Sequence, residues 1–558
     1  MVIKNWVLLG PNLPSAPNGV AGLALFPSIL IIGTSFIFLS VVIHILRQLL
    51  FNSKSEPPLV FSWVPILGST IEYGIDPYKF FFKYREKYGN TFTFILLGKK
   101  HTVCLGTEGN DFVLNGKLSE MSAADIYRDL TVPIFEKGVL IDEINHSTKD
   151  NRQDGKQLLK YSLTTEKLET YVPIFNHEVQ NFLETSHVFK GQIGVFEVVE
   201  TMGVISIFTA SRCLQGKEVR ENLNAGLADL YHDLDASFIP INFFFPWVPL
   251  PVNRRRDKAQ KKVAAIYKNI IAERRKLEES KKEHQDDMIW HLMRSEYKDG
   301  TPVPDHEIAH IMIAMLMAGQ HTSSSIGAWI LLRLATRPDI QEELYQEQLR
   351  VLGSDLPLPT RDGIGRLTLH RMVVRETLRL HAPIHSMMRA AKSPLTFATV
   401  EPGSTLQRVY SIPTSHVLIS APGVTAQSAE YFANPDDWEP HRWEHMTEIL
   451  DGTEKPEPGY LPVSRSTSSS YLPFAAGRHR CIGEHFAYLQ LGTITALMVR
   501  EFKFCTVAGK EGIAATDYGS LFTRPVVPAF LQWERRSPLT PGDENRSTAK
   551  GDQIPTRS

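Results

Sequence analysis

Near the C-terminus of this 558-residue chain stands Phe474-Ala475-Ala476-Gly477-Arg478-His479-Arg480-Cys481-Ile482-Gly483, running directly into a helical pattern that ends at Phe502. A cysteine at a loop-to-helix junction lies where helix N–H groups and the positive end of the dipole stabilise a thiolate, the state that a metal or a nucleophile needs. Gly477 and Gly483 let the backbone approach a flat, bulky group closely. Three chemistries compete for this cluster. A zinc site on His479, Cys481 and His485 lacks a fourth ligand and tetrahedral spacing. A cysteine nucleophile needs a positioned base, and Arg478 and Arg480 suit an anion better than a general base. A haem site uses Cys481 as axial iron ligand and offers Arg478, His479 and Arg480 to the propionates, which accounts for most of these residues.

Two more groups bear on the choice. Ala318-Gly319-Gln320-His321-Thr322 is expected to interrupt a long helix that is otherwise apolar from Ile311 to Ala318. As plain structure this is a kink, with Thr322 bonding back to its own turn. As chemistry it is a groove for dioxygen, with Thr322 and a relay of water delivering protons. Glu376 and Arg379 are an i,i+3 pair on a helical stretch, in isolation worth about 0.2–0.5 kcal/mol. Their place before the cysteine loop is what gives them weight.

The elements that position these groups follow from pattern. Apolar residues at three-to-four spacing predict helices over 76–88, 165–185, 252–280, 305–335, 338–352, 371–380 and 481–502. Thr91 to Leu97, a Gly98-Lys99-Lys100 turn and Thr102 to Leu105 predict a hairpin. The fold class is mainly α with small β-sheets. The stretch from Asn253 to Arg275 is basic and amphipathic, read as a solvated helix face. With 60 Lys+Arg against 61 Asp+Glu there is no electrostatic case for a nucleic-acid partner, and 43% hydrophobic residues exclude disorder throughout. Cys104, Cys213, Cys481 and Cys505 show no C-x-x-C spacing, so no disulfide framework is readable and the body is expected in a reducing compartment.

No Asp, Glu, Lys or Arg occurs between Lys4 and Arg47, and the 27 residues Val20 to Leu46 exceed the roughly 20 needed to span a bilayer. They also exceed the apolar region of a cleaved signal, about 7–15 residues. The expected organisation is a lumenal N-terminus over 1–19, a single transmembrane helix over 20–46, a Pro-containing linker over 47–64, one catalytic domain over 65–536 and a disordered tail over 537–558. Arg47 and Lys54 on the C-terminal flank place the body in the cytosol by the positive-inside rule.

Taken in order, Ala318-Gly319-x-x-Thr322, Glu376-x-x-Arg379, Pro440-His441-Arg442-Trp443 and Phe474-x-x-Gly477-x-x-x-Cys481-x-Gly483 resemble the cytochrome P-450 haem-thiolate monooxygenases. The resemblance implies that fold, haem b ligated by Cys481 with Phe474, Gly477 and His479 about the cofactor, and a buried triad of Glu376, Arg379 and Arg442. Thiolate donation then favours O–O cleavage. A closer resemblance, over the stretches beginning at Pro57, Pro240, Ala318, Glu376 and Tyr471, is to fungal sterol 14α-demethylases. It implies removal of the 14α-methyl of lanosterol or eburicol in three monooxygenation steps, on the endoplasmic reticulum membrane, with dioxygen as co-substrate. Electrons come from NADPH through NADPH-cytochrome P-450 reductase, with cytochrome b5 as a second donor. His321 and Thr322 deliver protons; Phe135, Ile141, Phe238, Ala318, Met387 and Leu521 line the sterol cavity, which in this family is an azole target; Tyr127 and Arg389 reach a propionate.

The chain departs from that pattern in three places. Ile141 stands beside Asp142 where the family has a tyrosine, Glu143 to Gly155 is longer and more polar and leaves Lys156 and Lys160 as candidates for the propionate lysine, and Ala475 replaces a glycine. These motivate two alternatives, a paralogous P-450 acting on another terpenoid and an azole-tolerant duplicate. A third, a haem protein that binds sterol without turnover, is disfavoured by the presence of Thr322 and Glu376.

Overall fold

The structure, a computed structural model, describes residues 21–50, 53–136, 155–223, 225–279, 287–297, 300–400, 407–444, 467–509 and 512–536. Helix α1 (Ala21–Leu50) is followed by α2 (Pro77–Tyr88), which starts with Pro77 at its first position and with the Asp76 side chain accepting from the Lys79 amide at 2.9 Å. Strands β1 (Thr91–Leu96) and β2 (Lys99–Cys104) form an antiparallel hairpin. Its turn is tighter than expected: Leu97 and Gly98 both have positive φ, so Lys99 and Lys100 already lie in β2. Then come α3 (Gly106–Leu114), β3 (Met121–Ser122), α4 (Ala124–Phe135), α5 (Thr165–Thr185), β4 (Ile193–Glu197), α6 (Val198–Gln215), α7 (Ala225–Asp235) and α8 (Pro251–Glu279). Helix α8 buries Asn253, Ala259, Val263 and Tyr267 and leaves Arg254, Lys258, Lys261 and Lys262 exposed, as its amphipathic pattern requires.

Helix α9 (Asp305–Ala335) is buried around nearly its whole circumference, which is where a helix apolar on every face must lie. Asp305 and Glu307 in its first turn and Arg333 in its last suit its dipole. The helix is continuous: the expected interruption at Ala318-Gly319 does not occur. A Cβ on Gly319 would meet Leu214 and Ala210 of α6 at ordinary contact distances of 3.7 and 3.8 Å, so packing there neither forces a kink nor demands glycine. The other long helices after it are α10 (Pro338–Leu352), α11 (Thr368–Leu380) and α12 (Glu484–Glu501), with short helical turns between. Helix α12 begins three residues later than expected, because Cys481 to Gly483 complete the preceding loop. Helices α6, α8, α11 and α12 all pack on α9.

The strands form small sheets beside this helical body. With β5 (Met387–Ala391) and β8 (Val417–Ser420), the first three strands make a five-stranded sheet in the order β1-β2-β8-β5-β3, parallel only between β2 and β8. Strands β6 (Leu395–Val400) and β7 (Gln407–Ile412) pair as a hairpin, and Ile193–Glu197, Phe530–Arg535 and Phe502–Thr506 make a three-stranded antiparallel sheet in that order. The architecture is mainly α with small sheets.

At the N-terminal end the boundaries differ from expectation. The Thr93 amide donates to Pro58 O at 2.8 Å and the Val60 amide to Thr93 O at 2.7 Å, so part of the expected linker is a strand edge of the body. Helix α1 continues past residue 46 to Leu50, and its Gln48 side chain exchanges two hydrogen bonds with the Ser62 backbone, at 2.8 and 3.0 Å. Counting only side chains that are described, no helix is long and apolar enough to cross a membrane. Residues 1–19 and 537–558 lie outside the described residues.

Candidate active site

The cysteine loop is held by its own backbone and by α3. The Cys481 amide donates to Phe474 O at 2.9 Å and the Arg480 amide to Gly477 O at 3.2 Å. Gly477 has φ +62°, and a Cβ there would lie 2.7 Å from Leu114 O at the end of α3, so only glycine fits. Leu114, Leu472 and Ala476 form an apolar plug against which Met387 of β5 packs. Of the four cysteines, Cys104 and Cys213 are buried and burial pushes their thiols up; Cys481 is exposed at the N-terminal approach to α12. Cys505, also exposed, lies in the three-stranded sheet away from any helix N-terminus, its thiol raised by partial burial. Arg480, a candidate for a propionate, instead pairs with Glu484 at 2.8 Å.

Ala475 has φ +58°, a left-handed conformation that suits glycine, so the departure noted in the sequence falls on a strained residue. Ala475→Gly is expected to stabilise the protein by about 1 kcal/mol, the left-handed penalty less the extra chain entropy of glycine. The urea midpoint then rises at unchanged slope; a midpoint that stays or falls refutes the strain.

Across the apolar α9, accessibility changes abruptly. Residues 311–317 are buried, Ala318 is exposed and Gly319 to Thr322 are half-buried, before burial resumes at Ser323. A helix enclosed on both sides of such a window faces an internal space there. Thr322 Oγ1 donates to Ala318 O at 2.9 Å, the back-bond that the plain structural reading expects. His321 Nε2 lies 3.5 Å from Asp235 Oδ1 at the end of α7, and its ring lies nearly parallel to Phe522, centroids 6.1 Å apart. Burial lowers the His321 pKa, and the Asp235 charge opposes it. Asp235 and Phe522 were not among the expected residues; 86 positions separate Asp235 from His321, and no local spacing joins them.

Of the expected wall residues, Phe135, Phe238 and Leu521 fall in one apolar cluster, whereas Met387 packs on the cysteine-loop plug. The Leu521 amide donates to Phe238 O at 3.0 Å, and Phe238 meets Phe522 edge-on at 5.8 Å. Phe135, at the end of α4, belongs to the same buried apolar cluster as Phe238. On β5, the Met388 amide donates to the Tyr127 hydroxyl at 3.1 Å, and the Arg389 guanidinium, 6% exposed, donates to Met388 O at 2.8 Å. Burial lowers the Arg389 pKa and raises that of Tyr127, and each opposes the shift of the other. Among the described residues no carboxylate pairs with Arg389, which leaves a buried cation suited to an anionic group of a ligand. Ile141 lies outside the described residues, as does the Lys156 side chain; Lys160 is exposed.

Behind the loop, Glu376 is fully buried. Its carboxylate accepts from Arg379 Nε and Nη2 at 2.9 Å each, Arg442 Nε at 2.9 Å, the Glu439 amide at 3.0 Å and Trp443 Nε1 at 3.0 Å. The guanidiniums pass their other donors to the carbonyls of Ala426, Ala433, Asn434, Pro435 and Asp437. The triad thus ties α11 to the segment from Ala433 to Trp443.

An exposed thiol on a glycine-cradled loop, an uncovered step on a buried helix and a buried arginine with no carboxylate partner among the described residues fit a haem and its propionates. The family model described as cytochrome P450 matches residues 57–532. The chain belongs to the cytochrome P450 family. This P450 is 53% identical over 511 residues to an eburicol 14-alpha-demethylase of Uncinula necator, covering 90% of this chain and 95% of the relative. It is 52% identical over 502 residues to a sterol 14-alpha demethylase of Aspergillus flavus, covering 89% and 95% of the two chains. A retinoic-acid-bound cyanobacterial CYP120A1 shares its fold with a TM-score of 0.68 at 20% identity, covering 87% of this chain and all of that one. The P450 is therefore a haem monooxygenase by family.

Proposed function

We propose that this P450 is a sterol 14α-demethylase acting on lanosterol or eburicol, with Cys481 as the protein ligand of its haem. The observation that carries the reading is the accessible Ala318–Thr322 window in an otherwise buried α9, walled by Phe238, Leu521 and Phe522. Relatives about 50% identical over nine-tenths of the chain and named for that reaction support it. Haem, when bound, supplies the iron at which dioxygen is activated. The chain's own residues do the rest. The Cys481 loop would hold the thiolate at the dipole of α12; Tyr127, Arg389 and His479 would hold the propionates; Phe135, Phe238, Met387 and Leu521 would exclude water and orient an apolar, rigid ring system. Thr322 holds a proton at Oγ1, and His321, backed by Asp235, resupplies it from the outer side of the window. Three monooxygenations, each consuming one dioxygen and two electrons from NADPH through a flavoprotein reductase, with cytochrome b5 as a second donor, take the methyl through alcohol and aldehyde to formate, leaving a 14,15 double bond and releasing water at each round.

The same reading makes α1 a single membrane anchor on the endoplasmic reticulum with the body in the cytosol. Thirty residues at about 1.5 Å rise exceed the roughly 30 Å hydrocarbon core, and Ile32, Phe36, Phe38 and Leu39 are exposed. A reconstituted system of P450, reductase and NADPH is expected to convert lanosterol or eburicol into the 14-demethylated, 14,15-unsaturated product and formate. Thr322→Ala in that system should retain sterol binding while product per NADPH falls about 100-fold, the lower end of general acid catalysis. No demethylated product from either sterol overturns the assignment, and unchanged coupling in Thr322→Ala removes its hydroxyl from proton delivery.

A further inference from the structure

Directly beside Glu376 on α11, Arg375 points a second charge into the core, and none of the preceding roles uses it. It is 1% exposed. Its guanidinium lies 4.7 Å from the ring centre of Trp443 and 5.5 Å from that of Tyr471, yet Nε and Nη2 have no hydrogen-bond partner among the described residues. Glu484, at the first position of α12 and three residues past Cys481, is 3% exposed. Its Oε2 takes Arg480, whereas its Oε1 is buried without a partner. The Arg375 side chain bonds to Tyr488, which lies four residues, about one helical turn, beyond Glu484 on α12. Tyr471 opens the cysteine loop and donates from its hydroxyl to Arg375 O at 3.1 Å; Tyr488, on α12, lies 3.3 Å from that hydroxyl and packs on Phe474. Arg375 therefore touches both stems of the loop that carries Cys481.

We propose that Arg375 and Glu484 form a buried ion pair, joined through an internal water, that clamps the two stems of the cysteine loop, and that Arg375 is a positioning residue for the Cys481 thiolate. A lone buried guanidinium is costly, and so is a buried carboxylate oxygen with no donor. One water accepting from Arg375 and donating to Glu484 Oε1 satisfies both, with a number of partners normal for internal water. The inference rests on Cys481 ligation and is independent of the sterol assignment.

The test is a double-mutant cycle on the full-length haem protein without sterol, read by the Soret band of the reduced carbon-monoxide complex. Arg375→Met should raise the ratio of thiolate-displaced to thiolate-ligated protein at least tenfold, Arg375→Lys less so. Arg375→Met with Glu484→Gln should recover most of that loss, because the second change removes the stranded carboxylate charge. If Arg375→Met yields no folded protein, recovery of a thiolate-ligated band in the double variant supports the pair equally. An Arg375→Met protein with the parent's ratio, or a double variant as impaired as the two single effects combined, overturns it.

Discussion

Cys481→Ala is expected to abolish the thiolate-type Soret band of the reduced carbon-monoxide complex, while Ala at Cys104, Cys213 or Cys505 in turn leaves it intact. The contrast follows from position. Cys104 and Cys213 are enclosed in apolar surroundings that hold them as neutral thiols, and Cys505 lies on a strand. Cys104 also lies just before a helix, α3, but is buried; Cys481 alone among the four is both exposed and close before a helix start, with its amide tied to Phe474 O and the loop turned by Gly477. Retention of the band by the Cys481 variant would disprove the ligand assignment.

Glu376→Gln should be nearly as damaging, by a different route. The carboxylate accepts five hydrogen bonds and balances two guanidiniums, of which Arg379 is fully buried. Neutralising it leaves positive charge stranded in the core, costing about 3–5 kcal/mol. That is a large share of the roughly 5–15 kcal/mol by which a folded chain outweighs its unfolded form. The expected result is little soluble haem protein and a urea midpoint far below the parent's. Arg379→Lys should fail similarly, because an ammonium cannot supply both the fork to Glu376 and the donors to Ala426, Pro435 and Asp437. A Glu376→Gln protein within about 1 kcal/mol of the parent would contradict the uncompensated-charge argument.

What could be read from the chain alone was whatever is encoded at short range. The cysteine loop, the small-residue step and the Glu376-x-x-Arg379 spacing are each complete within a few residues, and α5, α9 and α10 match their expected ends because caps and breakers mark them. Three features escaped because they are made by distant segments. Asp235 reaches His321 from another helix, the Glu439 amide donates into the triad, and Phe522 closes the wall from near the C-terminus. The supposed break at Ala318-Gly319 illustrates the opposite error. A local composition that would kink an isolated helix is overridden when α6, α11 and α12 press on it from several sides.

The junction between α1 and the body has a mechanical meaning. Gln48 grips the Ser62 backbone from both its amide and its carbonyl, His44 lies 3.1 Å from the Ser62 hydroxyl, and two residues earlier Val60 is already stitched to β1. The N-terminal helix is thus a strut rather than a tether: its axis and the sheet that carries Arg389 turn together. On the proposed anchor reading, a tilt of α1 would carry the catalytic body with it through these bonds.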